Sequence, residues 1–135
     1  RFEILSQAPF VVVDVAHNPE SAAYLALKLN AYKEQGYQIN ALVGMLKDKE
    51  IEVSLRQLSD DIDVWHTATI HNERGASASD IAAQLEPLTD ACIYSHDSVK
   101  QAYIAARNSL KKNDCLVVFG SFHIVGDILK MTSRS

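Results

Sequence analysis

The chain has 135 residues, of which 47% are hydrophobic and 22% are charged, and its formal net charge is −4. This composition is typical of one folded domain and excludes a disordered chain, and its scattered Lys and Arg residues do not indicate a nucleic-acid partner. The longest purely apolar run, Pro9 to Val13, is too short to cross a bilayer, so we also expect no membrane partner.

Two strand-like segments open the chain. Phe2 to Leu5 is predicted to be a short strand, and a turn at residues 7–9 leads into a second strand, Phe10 to Asp14. Because the connection is short, we expect these strands to pair antiparallel. Consecutive β-branched and apolar residues predict that the second strand is buried on both faces.

A long helix is predicted next. Asn18 and Pro19 form a helix-start signal, because an Asn side chain caps free amides and proline suits the first helical position. Apolar residues then recur every three to four positions down to about Glu34, and Gly36 is a plausible stop.

Strands and helices alternate over the rest of the chain. The predicted strands are 39–44, 64–68, 91–94 and 115–120, and the predicted helices are 51–58, 79–88, 98–110 and 124–131. Strands joined by helical crossovers require a mostly parallel sheet with helices on both faces. We therefore expect a single α/β domain over residues 1–135, with α/β/α layers and about six strands, of which the N-terminal one is antiparallel.

The cysteines and three of the histidines do not indicate a metal or redox site. Cys92 and Cys115 lie in apolar, strand-like runs without a C-x-x-C motif, so we expect two buried, reduced thiols in a cytoplasmic protein. His66, His71 and His96 have no neighbouring ligand set and are interpreted as surface or packing residues.

Three loops of unusual composition follow predicted strands. They are residues 14–19 (the first loop), residues 45–50 (the second loop) and residues 120–123 (the third loop). Ligands of parallel α/β sheets bind at the carboxyl ends of the strands, so we expect a site where these loops converge.

The first loop allows two interpretations. Asp14 ends a run of valines, where a carboxylate is costly without a partner, and it is either a cap or turn residue or an acceptor for sugar hydroxyls. His17, next to the N-terminal end of the following helix, is either structural or a hydrogen-bonding partner for a ligand carboxylate. The residues alone leave both questions open.

The third loop suits an anionic carboxylate. Gly120 permits close backbone approach, Ser121 offers a hydroxyl and His123 offers a titratable donor near a helix start. A hydrolase triad of Ser121 with two first-loop residues, His17 and Asp14, is disfavoured because no G-x-S-x-G motif surrounds the serine. The charged second loop is either a solvated helix start or a functional segment.

Two nucleotide-binding motifs are absent from the sequence. It contains neither G-x-x-x-x-G-K-[ST] nor a G-x-G-x-x-G after a strand, which disfavours a dinucleotide oxidoreductase. We also expect that this domain does not hold a triphosphate by the usual means. A strand pattern is already under way at Arg1, which we interpret as a cut from a longer protein.

The loops carry a family resemblance in their order and spacing. Residues 14–19 read Asp-Val-Ala-His-Asn-Pro, residues 44–49 read Gly-Met-Leu-Lys-Asp-Lys, and residues 119–123 read Phe-Gly-Ser-Phe-His. These strings resemble the C-terminal part of the bifunctional dihydrofolate/folylpolyglutamate synthases, of the Mur ligase superfamily, over essentially the whole chain. Val15 stands where that family usually has Gly.

The resemblance implies a Rossmann-like glutamate ligase domain that follows an ATPase domain in the same chain. Such enzymes use ATP to phosphorylate the carboxylate of dihydropteroate or of a folate's glutamate tail, and the amine of L-glutamate then displaces the phosphate. The implied cofactors are ATP and Mg²⁺, with the Mg²⁺ ligands in the N-terminal ATPase domain and no metal ligand here. The implied full-length enzyme is a monomer, and the isolated domain is inactive.

Roles for individual residues are also implied by the resemblance. Arg1 would approach the nucleotide phosphates, Asp14 would hold the ribose, and Asn18 would lie close to the nucleotide. His17 would lie where the nucleotide and the incoming glutamate meet and, with Asp14, is assigned to catalysis.

The remaining implied roles concern the glutamate and the cleft. Ser121 and His123, together with His17, would orient the glutamate carboxylates. Three second-loop residues would face the cleft, namely Lys47, Asp48 and Lys49.

Two alternative functions remain from the sequence. One is a stand-alone Rossmann-like binding or regulatory module without catalysis, and the other is a peptidoglycan-precursor Mur ligase domain. The His17-Asn18-Pro19 string is typical of the folate branch and disfavours the peptidoglycan alternative.

Overall fold

The computed structural model describes residues 2–132, which form six strands and five α-helices. The strands are β1 (Glu3–Gln7), β2 (Phe10–Val13), β3 (Gln38–Val43), β4 (Val64–Ala68), β5 (Cys92–His96) and β6 (Asp114–Phe119). The helices are α1 (Pro19–Glu34), α2 (Ile51–Arg56), α3 (Ala78–Leu85), α4 (Val99–Asn108) and α5 (Phe122–Thr132).

One mixed sheet has the strand order β1-β2-β6-β3-β4-β5. β1 pairs antiparallel with β2 across the turn at Ala8 and Pro9, and all other pairs are parallel. This confirms the predicted α/β class with an antiparallel N-terminal strand.

Helices cover both faces of the sheet, which gives the three layers that were predicted. One apolar cluster joins the strands to α1, α2 and α3, and a second cluster joins them to α4 and α5. Strand β6 illustrates the division, because Val117 and Phe119 belong to the first cluster while Leu116 and Val118 belong to the second. Each such fully buried side chain stabilises the fold by about 1.5–3 kcal/mol.

Several predicted element bounds differ from the structure by a few residues. β1 runs to Gln7 rather than Leu5, and α5 begins at Phe122 rather than Ile124. The predicted helix 79–88 ends at Leu85 and continues as a short 3₁₀ turn that contains Pro87. Proline has no amide hydrogen to donate to the preceding turn, which accounts for the early end.

The prediction for the two cysteines is correct for Cys115 and wrong for Cys92. Cys115 is buried in the sheet, and burial raises its pKa to about 12. Cys92 is exposed because it begins the edge strand β5, which has a neighbour on one side only. Among residues 2–132, no helix is both long and apolar enough to cross a membrane.

Candidate active site

The strand order places the three loops side by side at one edge of the sheet. β6 lies between β2 and β3, so the third loop lies between the first and the second. Two backbone hydrogen bonds join the strand ends that lead into these loops, from the Asp14 amide to the Val118 carbonyl at 2.9 Å and from the Gly44 amide to the Phe119 carbonyl at 3.3 Å. The structure therefore brings the loops together as the sequence predicted.

Asp14 closes a tight turn directly after β2. Its side chain is 7% exposed, and its Oδ1 accepts a hydrogen bond from the Ala16 amide at 2.8 Å. The turn interpretation is thus confirmed, and it holds the carboxylate in one orientation at the carboxyl edge of the sheet.

His17 presents an oriented ring. Its Nδ1 lies 2.9 Å from the Val15 carbonyl oxygen, which only accepts, so Nδ1 carries the hydrogen. In the neutral ring, Nε2 then carries the lone pair. The ring is half-buried, and its centroid lies 6.1 Å from that of the exposed Phe122 in the third loop. The Val15 carbonyl therefore fixes the orientation of the His17 ring, beside Phe122 of the third loop.

Asn18 is the N-cap of α1. Its Oδ1 accepts from the Ser21 amide at 2.8 Å, and Ser21 Oγ accepts from the Asn18 amide at 3.2 Å, which completes a capping box. The same Ser21 hydroxyl accepts from the His17 amide at 3.1 Å and fixes the backbone of the first loop. The cap interpretation is confirmed, and the nucleotide role of Asn18 stays a prediction.

The third loop depends on glycine at position 120. Gly120 has φ +122°, and a Cβ at this position would lie 2.2 Å from the Gly44 carbonyl oxygen. Ser121 is 4% exposed, and its Oγ accepts from the Ile124 amide at 3.2 Å at the start of α5. Close backbone approach is therefore confirmed, while the Ser121 hydroxyl serves as a helix cap.

His123 faces a cavity that is not lined by His17. The cavity has a volume of about 470 Å³ and lies beside the N-terminal end of α4. Two lysines and two histidines line it together with one acidic residue, namely Lys100, Lys130, His71, His123 and Asp127. The two lysines outnumber the single carboxylate, which favours an anion, and no local pattern in the sequence indicates that His71 and Lys100 lie near His123.

Arg74 supports the second loop, a contact that no local sequence pattern indicates. The Lys47 amide donates to the Arg74 carbonyl at 2.6 Å, and Arg74 Nη2 donates to Asp48 Oδ2 at 2.8 Å. That hydrogen bond from the guanidinium is the main reason that the pKa of Asp48 is lowered. The neighbouring Gly75 lies close to the Ile70 backbone. A Cβ at Gly75 would lie 1.8 Å from the Ile70 carbonyl oxygen, so glycine is needed there.

Two further predictions concern metal ligands and Arg1. Residues 2–132 contain no group of three or more His, Cys, Asp or Glu side chains placed to hold a metal ion. Arg1, to which a nucleotide role was assigned, lies outside the described residues.

Comparison with known proteins gives consistent matches. The family model described as "Mur ligase, glutamate ligase domain" matches residues 1–122. The chain is 40% identical over 131 residues to the dihydrofolate synthase/folylpolyglutamate synthase of Escherichia coli K12, covering 97% of this chain and 30% of that protein.

Solved structures agree with the sequence matches. The structure of E. coli FolC in complex with ADP is similar at a TM-score of 0.90 and 37% identity, over 99% of this chain and 31% of that one. A bifunctional folylpolyglutamate synthase/dihydrofolate synthase with Mn, AMPPNP and L-glutamate bound matches at a TM-score of 0.88 and 34% identity, over 98% of this chain and 31% of that one. The chain thus spans about a third of the length of these proteins.

Proposed function

Because the chain belongs to the Mur ligase family of glutamate ligase domains, we propose that it is the C-terminal domain of an ATP-dependent folate ligase. The full-length enzyme would add L-glutamate to dihydropteroate and to the γ-glutamyl tail of folates. The observation that carries the proposal is the strand order, which places the three motif loops side by side. The names of the similar proteins favour folate substrates over peptidoglycan precursors.

The proposed reaction has two steps. The substrate carboxylate takes the γ-phosphoryl group of ATP, which releases ADP and leaves an acyl phosphate. The amine of L-glutamate then attacks the acyl carbon, and an amide forms as inorganic phosphate leaves. Water would hydrolyse the acyl phosphate, so the domain is expected to close over the cleft before the second step.

The first loop would serve the nucleotide and the amine. Asp14, buried and oriented by its turn, would accept hydrogen bonds from the ribose hydroxyls. His17 Nε2 would accept a hydrogen bond from the glutamate amine, which must lose a proton as the amide forms. Asn18 would lie close to the nucleotide while its Oδ1 caps α1.

The third loop would orient the glutamate carboxylates. The Ser121 hydroxyl hydrogen is available to donate while its oxygen accepts from Ile124, and His123 faces a basic cavity. In the second loop, Lys47, Asp48 and Lys49 would face the cleft.

The remaining parts of the site would lie in an N-terminal ATPase domain. That domain would hold the ATP phosphates and the Mg²⁺, which would neutralise the phosphate charge. The lack of a phosphate-binding motif in this sequence is consistent with that division. We propose that the full-length enzyme is a cytoplasmic monomer and that the isolated domain is inactive.

Glutamate-dependent release of ADP by the full-length enzyme tests the assignment. We expect Asp14→Ala to raise the KM for ATP at least tenfold, because the ribose acceptor is lost. His17→Ala should lower kcat and raise the KM for glutamate. Asp90→Ala is the matched control, because Asp90 precedes β5 at the opposite end of the strands. If both site variants keep normal turnover at an unchanged melting temperature, the assignment is wrong.

A further inference from the structure

A second cavity opens at the amino ends of the strands and extends along β5 to His96. We call it the distal cavity; its volume is about 390 Å³. It is lined by the first residues of four strands, namely Gln38, Val64, Cys92 and Asp114, and by Ala105 and Ser109 near the C-terminal end of α4. Nothing in the proposed ligase chemistry uses this end of the sheet.

Two buried polar side chains line the distal cavity without full hydrogen bonding. Asn40 and His66 are each 4% exposed. Within residues 2–132, Asn40 Nδ2 and His66 Nε2 have no hydrogen-bond partner. Leaving a buried polar atom unpaired is costly, so each such atom requires an explanation. Two of them beside one cavity indicate a ligand with matching groups.

His66 belongs to a row of rings on β4 and β5. Its ring stacks on His96 at a centroid distance of 5.2 Å and on Tyr94 at 5.4 Å. Its Nδ1 lies 3.0 Å from His96 Nε2, so one hydrogen is shared between these nitrogens. Burial, and secondarily His96, lowers the pKa of His66 to about 4, so the ring is neutral near pH 7. Its Nε2 is then a donor or an acceptor, according to the tautomer.

Charged side chains around the cavity balance each other. Lys111 and Asp114 both line it, and Asp114 Oδ2 accepts from the Lys111 backbone amide at 2.9 Å. The wall therefore presents one positive and one negative side chain, beside the apolar surfaces of Val64 and Ala105. This balance favours a neutral ligand over an anion or a cation.

We infer that the distal cavity is a second binding site for a small, neutral, planar heterocycle with a lactam-type edge. The ligand carbonyl accepts from the Asn40 amide group. The adjacent ring N–H donates to His66 Nε2 in one tautomer, and a carbonyl accepts from it in the other. The cavity volume falls within the roughly 300–1,000 Å³ of ordinary small-molecule sites, which combine apolar walls with a few convergent polar groups.

Cys92 provides a built-in reporter for occupancy. It is exposed and lines the distal cavity, so a bound ligand shields its thiol from alkylation. The full-length protein is treated with iodoacetamide, and the peptide that contains Cys92 is quantified by mass spectrometry. The probes are uracil and 2-pyridone, with benzoate as the anionic comparison and benzylamine as the cationic one. We expect the two lactams to slow alkylation saturably by at least threefold, and the charged probes to have no effect.

A matched pair of variants tests the polar contact. Asn40→Leu keeps the size of the side chain but removes the amide, and should weaken protection by uracil at least tenfold. Gln38→Leu is the control, because Gln38 lines the same cavity but is exposed, and should leave protection unchanged.

Several outcomes would overturn the inference. These are equal protection by benzoate, or full protection in Asn40→Leu. A crystal of the full-length protein soaked with uracil gives an independent measurement. Density for only water at Asn40 and His66 would also overturn it. Loss of ligase activity in the Asp14 and His17 variants is measured separately and does not depend on any of these results.

Discussion

Gly120 and Gly126 differ in what an added methyl group would meet. At Gly120, φ is +122° and the Cβ would lie 2.2 Å from the Gly44 carbonyl oxygen, whereas at Gly126 in α5 nothing lies within 4 Å. We expect Gly120→Ala to lower the free energy of unfolding by roughly 1–3 kcal/mol or more, because the backbone is strained and two loops are pushed apart. Gly126→Ala should raise it by roughly 0.5–1 kcal/mol. Urea unfolding of both variants measures the difference, and equal midpoints would contradict the predicted close approach.

Individual site residues were predictable where the signal is local. Asp14 directly follows an apolar strand and Ser121 comes two residues after another, and the structure places both at the carboxyl edge of the sheet. Arg74 was not predictable, because its contact with Asp48 spans 26 residues and depends on how two loops pack. Ser21 was missed although it occupies the third helical position, where a capping-box partner is expected.

At the scale of the element, α1 depends on its N-terminal cap. Asn18→Ala removes the oxygen that accepts from the Ser21 amide and should lower the free energy of unfolding by about 1 kcal/mol. Asn18→Ser keeps a capping oxygen and should retain most of this stability. Thermal or urea unfolding separates the two variants, and equal losses would mean that the cap does not stabilise the helix.

The same pair of variants separates capping from nucleotide binding. If Asn18 also contacts the nucleotide, Asn18→Ser in the full-length enzyme should raise the KM for ATP while its stability is kept. An unchanged KM in this variant would restrict Asn18 to the helix cap.

The start of α1 was easier to predict from the sequence than the position of β5 within the sheet. The start of α1 is encoded by neighbouring residues, and the structure has it at Pro19 as expected. The exposure of Cys92 is different, because it depends on β5 being the edge strand of the sheet. An apolar run does not reveal which strand ends a sheet, so two buried thiols were predicted where one is present.

At the scale of the whole molecule, the last strand organises the site. β6 is the final strand in sequence, yet it lies between β2 and β3. The alternation of strands and helices predicted a mostly parallel sheet but not this order. Because parallel strands end at the same edge, the order places the third loop between the others, where Phe122 lies beside His17 and Gly120 lies against Met45. The convergence of the loops was therefore predictable, and their arrangement was not.

The stability of the whole molecule should depend on pH through His66. Its pKa is lowered from 6.5 to about 4 in the folded protein, and burial is the main cause. Above about pH 6.5 the ring is neutral in both states and adds no pH dependence. As the pH falls from 6.5 towards 4, the unfolded chain binds a proton that the folded protein does not, so the free energy of unfolding decreases.

Replacing His66 tests this linkage. Between about pH 5 and 6.5 one such proton contributes a slope of up to about 1.4 kcal/mol per pH unit, and we expect His66→Phe to have a smaller slope. Some slope should persist, because burial also lowers the pKa of His96. The wild-type protein, measured over the same pH series, is the reference for this change. Urea unfolding at a series of pH values gives each slope, and an unchanged slope in His66→Phe would show that folding does not lower the pKa of this imidazole.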